Sequence, residues 1–285
     1  MRELNEHDVR VSYHTLKRLK AISNLSKTGL KALDALFFHH RIKTKGKMGI
    51  SYVEALENPT IMEHLATLAT KYRKGKTSPE ITYQMFCLWY GSISQFRPAM
   101  AKYIISRYSP KVGVLDFSAG WGGRAIACMS LGIPYTGVDT NTNLQESYAK
   151  LQELEPSSPV TMIWKPSEQV AFESYPYDMI FTSPPYYTIE RYENMPSYSC
   201  KKEFFDVFLI PVVMRAWTGL LSPGTMALNM PRPFYDVVKD LLPPVQEILS
   251  LPKAKRNLKN TIVAHEEIFV WRKESSNPVR PPTTR

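Results

Sequence analysis

Cysteine is scarce in this chain of 285 residues. Its three examples, Cys87, Cys128 and Cys200, are odd in number and widely spaced. That pattern argues against a disulfide framework and fits a reducing compartment. No uninterrupted apolar run approaches the roughly 18 residues a membrane span requires. The opening residues, Met1-Arg2-Glu3-Leu4-Asn5-Glu6-His7-Asp8, lack the apolar stretch of a signal peptide, so a cytoplasmic or otherwise intracellular place is expected. His39, His40, His64 and His265 have no partners at metal-ligand spacing, and no metal is expected. Internal repeats are absent too. What is present is an ordinary globular balance of 44% hydrophobic and 22% charged residues, which excludes a wholly disordered or collagen-like chain.

The net charge of +10 is unevenly spread. Residues 1–110 carry 18 Lys and Arg against 8 Asp and Glu, whereas the remainder of the chain is balanced. Between positions 17 and 47 stand Lys17, Arg18, Lys20, Lys27, Lys31, Arg41, Lys43, Lys45 and Lys47, opposed only by Asp34. Such a segment attracts polyanions, of which nucleic acid is the commonest, and a solvated basic face is the competing reading. A second basic run, Pro252-Lys253-Ala-Lys255-Arg256-Asn-Leu-Lys-Asn260, divides evenly between the same two readings.

Hydrophobic spacing predicts helix over 8–40, 52–72 and from Pro79 through Trp89, with no convincing strand before residue 110. The texture then changes to short apolar runs near 112–117, 135–139, 160–164 and 177–182. Helical stretches near 123–131, 142–154 and 166–173 separate them. Alternation of this kind implies right-handed crossovers and a parallel sheet. Helix over 204–221, strand over 224–229, helix over 234–242 and strands over 245–251 and 266–271 complete the pattern. The expected fold is α/β: a Rossmann-like sheet of seven strands, closed by an antiparallel hairpin and preceded by an all-helical part. The expected division is a basic helical domain over 1–94, a sheet domain over 95–275 and a frayed tail over 276–285.

Two motifs point to an adenosine-containing ligand. Leu115-Asp116-Phe117-Ser118-Ala119-Gly120-Trp121-Gly122-Gly123-Arg124 leaves a strand and opens a helix, where glycines admit a ligand and free N–H groups face it. Asp139, followed by Thr140, lies about twenty residues on at the next strand tip, where a carboxylate accepts from ribose hydroxyls. The third motif is Asp178-Met-Ile-Phe-Thr182-Ser183-Pro184-Pro185-Tyr186-Tyr187. Two prolines directly after a buried strand stiffen the chain. They can hold a hydroxyl, carbonyls and an aromatic ring where open α/β sheets place their ligands.

Ser183-Pro184-Pro185-Tyr186, preceded by a glycine loop and an acidic strand tip, resembles the amino-methyltransferases that methylate N4 of cytosine or N6 of adenine in DNA. Phe96-Arg97-Pro98-Ala99-Met100 resembles the helix with which that family contacts its cofactor. The resemblance spans about 95–273 and implies S-adenosyl-L-methionine as cofactor and DNA as partner, with RNA left open, no membrane role, and an undetermined oligomeric state. It implies catalytic roles for Ser183, Pro184, Pro185 and Tyr186. Cofactor contacts are implied for Arg97, Pro98, Asp116, Phe117, Ser118, Ala119, Gly120, Gly122, Asp139, Thr140, Ser167 and Thr182. Ser167 stands where the family usually has an acid. Nucleic-acid contacts are expected from Lys17, Arg18, Lys20, Arg41, Lys43, Lys45, Lys47, Tyr187, Lys253, Lys255 and Arg256. The Ser-led motif favours N4 of cytosine. A methyltransferase for adenine, RNA or protein glutamine and a catalytically silent nucleic-acid-binding subunit are the alternatives.

Overall fold

The structure, a computed structural model, describes residues 5–20, 26–46, 48–76, 78–187, 192–252 and 265–275. Five helices come first: α1 (Glu6–Arg18), α2 (Leu30–Arg41), α3 (Tyr52–Leu56), α4 (Pro59–Arg73) and α5 (Pro79–Trp89). The helix expected over 8–40 is therefore two. Leu19 leaves helical geometry, and α2 begins after Gly29, whose φ of 87° suits only glycine. The stretch expected over 52–72 is also divided, because Pro59 forces Asn58 out of helical geometry. The Asn58 side chain then caps α4 by accepting from the Ile61 N–H.

The remaining elements are α6 (Pro98–Tyr108), β1 (Val114–Asp116), α7 (Gly123–Leu131), β2 (Tyr135–Asp139), α8 (Gln145–Gln152), β3 (Val160–Trp164) and β4 (Met179–Thr182). They are followed by α9 (Lys201–Glu203), α10 (Ile210–Gly219), β5 (Gly224–Asn229), α11 (Arg232–Val238), β6 (Glu247–Pro252) and β7 (His265–Lys273). Where helix is expected over 166–173 there are only two 3-10 turns, Ser167–Gln169 and Phe172–Ser174. Pro176 holds Tyr175 extended and ends them. Between α9 and α10 a π-helical turn, Phe204–Leu209, lies just ahead of Pro211. That turn accommodates a residue that cannot donate and whose ring crowds the preceding turn.

The seven strands form one sheet in the order β3-β2-β1-β4-β5-β7-β6. The first five are parallel, and β7 runs antiparallel to both neighbours, as expected of the closing hairpin. Side chains alternate between faces: Val114, Met179 and Phe181 enter one core, Leu115 and Ile180 the other. The first core also takes Tyr13 and Leu16 of α1 and Leu33 and Phe37 of α2, all fully buried. Helices α3, α4 and α5 bury a separate small cluster around Leu65, Leu68, Met85 and Phe86. The residues expected to form one segment over 1–94 thus divide their apolar side chains between two clusters.

The chain leaves β1 toward β2 and β3 on one side and returns to β4 on the other. The carboxyl ends of β1 and β4 therefore flank the switch point at which open α/β sheets bind ligands.

Candidate active site

The turn between β1 and α7 uses its glycines differently. Gly120 has φ 58°, and a Cβ there would meet nothing within 4 Å, so its backbone opens on space. Gly122, with φ 70°, backs onto the Phe37 ring, 3.0 Å from such a Cβ. At Gly123 a Cβ would lie 2.1 Å from the Phe96 carbonyl oxygen, so packing against the residues before α6 requires glycine. The loop is pinned from three sides. Ala119 N–H donates to the Val138 carbonyl (2.9 Å), Gly120 N–H to Asp139 Oδ2 (2.8 Å), and Tyr148 Oη to the Gly120 carbonyl (2.9 Å).

Asp139 also accepts from the Asn141 N–H at 2.9 Å through Oδ1. A carboxylate offers about four acceptor positions, so lone pairs remain for a ligand. Burial raises the pKa of this carboxyl, and the two backbone N–H bonds oppose that rise. Asp116, at the tip of the neighbouring strand, is fully buried. Its carboxylate accepts from Arg124 Nε (2.6 Å), from Tyr135 Oη (2.7 Å) and from the Ser118 N–H (3.2 Å). Arg124 donates further to the Ser118 carbonyl (2.6 Å) and lies 5.4 Å from the Phe96 ring centroid. Burial opposes the Arg124 charge, but Asp116 outweighs it and the guanidinium's pKa is raised.

After β4, Pro184 and Pro185 turn the chain so that Ser183 and Tyr186 meet Asn229, the last residue of β5. Ser183 Oγ lies 3.2 Å from Asn229 Oδ1 and 3.2 Å from Tyr186 Oη, and Tyr186 Oη lies 3.2 Å from the same Oδ1. The amide orientation follows from its other end, where Asn229 Nδ2 donates to the Glu267 carbonyl of β7 at 3.1 Å. The oxygen therefore faces Ser183, which donates its proton there and so presents acceptor lone pairs on its other side. The Tyr186 ring meets Phe234 edge-on, centroids 6.0 Å apart.

These groups share one cleft of about 920 Å³. Arg97, Phe117, Ser118, Ala119 and Gly120 line it together with Asp139, Thr140 and Ser167. Ser183, Pro184, Pro185 and Tyr186 line it as well. Opposite the glycine loop, Tyr192 stands 5.5 Å from Trp121, and Glu193 accepts from Asn141 Nδ2 at 3.4 Å. Ser167 Oγ is already donated to the Phe117 carbonyl at 2.6 Å.

Four of the nominated cofactor residues, and Tyr187, lie off the cleft wall. Asp116 is spent on Arg124 and Tyr135, Gly122 faces Phe37, and Pro98 packs against Gly29 at the start of α2. Thr182 is fully buried, and Tyr187 turns to Phe204, 5.7 Å between centroids. Of the nominated basic residues, Lys17 pairs with Glu155, Arg41 with Asp34 (2.6 Å) and Lys45 with Glu54 (2.5 Å). Arg18, Lys20 and Lys43 are away from the cleft wall, and Lys47, Lys253, Lys255 and Arg256 lie outside the described residues.

Arg124 and Asn229 are site-building residues that motif reasoning passes over. Each had a signal. A cation in the first turn of a helix is unfavourable without an acid beside it. Likewise a lone amide ending the apolar run Met226-Ala227-Leu228 needs a polar partner.

No protein-family model matches the chain, and no curated protein matches it in sequence. Among solved structures it is similar to TrmN from Thermus thermophilus at 19% identity, over 62% of this chain and 48% of that one, with a TM-score of 0.47. It is similar to a SAM dependent methyltransferase from Agrobacterium tumefaciens at 14% identity, over 62% and 61% of the two chains, TM-score 0.45. A third is the tRNA (uracil-54, C5)-methyltransferase of Pyrococcus abyssi, in complex with S-adenosyl-L-homocysteine, at 16% identity over 61% and 37%, TM-score 0.42. The aligned part thus spans about half of the TrmN chain and well under half of the Pyrococcus protein.

Proposed function

We propose that this protein methylates an exocyclic amine of a nucleic-acid base, with S-adenosyl-L-methionine as the methyl source and N4 of cytosine in DNA as the leading target. One observation carries the reading. The Ser183 hydroxyl, its proton committed to Asn229, opens on the same cleft as the Gly120 backbone and the Asp139 carboxylate. The cleft fits the cofactor in chemistry as well as in size. Gly120 leaves room at the backbone, and Asp139 offers acceptors for two ribose hydroxyls. When bound, S-adenosyl-L-methionine would supply an electrophilic methyl group, its sulfur–methyl bond breaking to leave S-adenosyl-L-homocysteine.

The rest of the chemistry falls to the chain's own residues. A cytosine amine is a poor nucleophile because its lone pair is delocalised into the ring. Ser183 Oγ and the Pro184 carbonyl accept its N–H groups, favour a pyramidal nitrogen and localise the pair where it forms the new bond. Fixed placement supplies much of the remaining rate. Tyr186, held by its phenol to Asn229 and by its ring edge to Phe234, offers an aromatic surface to a base taken out of its stack, offsetting part of a cost of a few kcal/mol. The surplus proton on the methylated amine leaves to water. In this division residues 95–275 carry the transfer, and residues 1–94 carry contacts to the nucleic acid.

The test is incubation with methyl-labelled S-adenosyl-L-methionine and DNA or RNA, followed by nucleoside mass analysis. N4-methylcytosine in DNA is the expected product. N6-methyladenine, or label in RNA, would move the target while keeping the amine chemistry. Cofactor binding without label in any nucleic acid would overturn the reading in favour of a silent subunit.

A further inference from the structure

The antiparallel pair α4–α5 stands on its own small core and reaches the cleft with one end only. Leu88 and Gly91, at that end, line the cleft. Leu88, which lines the cleft, is 62% exposed, and Trp89, next to it in the chain and off the cleft wall, is 53% exposed. Trp89 is held in place by His64 of α4, whose ring meets it edge-on at 5.3 Å. The far end is different. Lys71, Arg73, Lys74 and Lys76 follow one another with no acid among them, and all four are exposed. None has a carboxylate partner among the described residues. Lys71 lies over Tyr72, 5.4 Å from the ring centroid, and Arg73 donates to Gln84 at 3.4 Å. By contrast Lys17, Arg41 and Lys45 of the basic segment singled out in the sequence are neutralised by internal partners.

We propose that α4–α5 guides an unpaired strand of nucleic acid to the cleft, a base stacking on Trp89 beside the cleft-lining Leu88 while phosphates meet Lys71, Arg73, Lys74 and Lys76 at the far end. The proposal rests on the reaction assigned to Ser183 above and names the path by which its substrate arrives. An aromatic surface accepts any base face, and cations in line with it track the backbone, the combination by which proteins hold single strands. The eleven residues of α5 span roughly 16 Å at 1.5 Å each. At about 3.4 Å per nucleotide, the spacing of a fully stacked strand, the path holds at most about five nucleotides between Trp89 and the cationic end, and fewer if the strand is extended. A solvated basic face has no reason to carry an exposed tryptophan next to a residue that lines the cleft.

The experiment measures anisotropy of labelled oligonucleotides of increasing length on the full chain, across a salt series. S-adenosyl-L-homocysteine binding and thermal melting serve as controls on the fold. Trp89→Ala should weaken binding roughly tenfold. The triple variant Lys71→Ala/Lys74→Ala/Lys76→Ala should lower the magnitude of the salt slope by about 2, near 0.7 for each cation on a single strand. Affinity should rise with length and level off by the time about five nucleotides flank the target on one side. If both variants bind with the parent's affinity and slope, the guide is overturned and the reaction stands. If the parent prefers anionic vesicles of phosphatidylserine to any oligonucleotide, the partner is a membrane surface and the guide is again overturned. A parent that binds S-adenosyl-L-homocysteine but neither binds nor methylates nucleic acid overturns the reaction and the guide together.

Discussion

Asp116 and Asp139 end adjacent parallel strands, Asp116 opposite Gly137 two residues short of Asp139, yet they do opposite work. Asp139 keeps acceptors for the cleft, its bonds among the described residues coming only from backbone N–H groups. Asp116 has none to spare. Arg124, Tyr135 and the Ser118 N–H take its acceptor positions, and no part of it is exposed. The same residue type at the same topological position therefore makes a foundation in one case and a binding group in the other. The difference lies in what the following helix contributes. Arg124 enters in the first turn of α7 and draws Asp116 inward, whereas no cation follows β2 closely enough to claim Asp139.

Breaking each acid in turn separates the roles. Asp116→Ala leaves Arg124 buried and unpaired, and chemical denaturation should show a loss of about 3–5 kcal/mol. A variant as stable as the parent would remove the foundation role. Asp139→Ala, which takes the acceptor from two backbone N–H groups but leaves no buried cation unpaired, should cost less stability than Asp116→Ala, while calorimetry with S-adenosyl-L-homocysteine shows a loss of about 1.5–3 kcal/mol. Unchanged affinity there would remove the ribose contact.

The ionisation of Asp139 gives a smaller effect. Its charged form accepts the ligand's hydroxyls, and burial raises its pKa. Affinity should therefore hold steady above that pKa and decline as pH falls through it, at a higher pH than an exposed aspartate would show. Asp139→Asn should flatten the profile, and an equally sloped profile in that variant would assign the titration elsewhere. Smallest is Tyr135→Phe, which takes one donor from Asp116 but leaves Arg124. It should cost about 1 kcal/mol of stability and nothing in cofactor affinity.

The sheet was largely legible in the sequence because its strands are short apolar runs between helical periods, a contrast that depends little on tertiary context. All seven strands lie where alternation and turn residues predict them, with ends displaced by a few residues. The helical interruptions were less legible. Apolar spacing continues through Leu19 to Leu30 although Gly29 adopts a left-handed φ, and periodicity does not register backbone geometry. The π-helical turn before Pro211 keeps the same apolar face as an α-helix and is equally invisible to spacing. In the site, Gly120, Asp139 and Ser183 to Tyr186 could be nominated from local motifs. The burial of Asp116 could not, since it depends on Tyr135, nineteen residues away on the next strand. Nor could the pairing of Lys17 with Glu155, which requires knowing that α1 packs near the end of α8.

That last contact has a consequence for how the chain acquires its shape. Helices α1 and α2 leave the ribosome before the elements they pack on, which lie far downstream. Tyr13 donates to Glu155 across a separation of 142 residues, and His40 meets Ser147 across 107. Until β1, β2 and α8 have been made, Leu16, Leu33 and Phe37 have no surface to cover them. The N-terminal helices are thus early products that wait for late ones, and contacts of such high sequence separation slow folding and prolong exposure of apolar surface. A nascent chain halted before residue 155 should be held by chaperones or lost to proteolysis rather than accumulate as a folded N-terminal module.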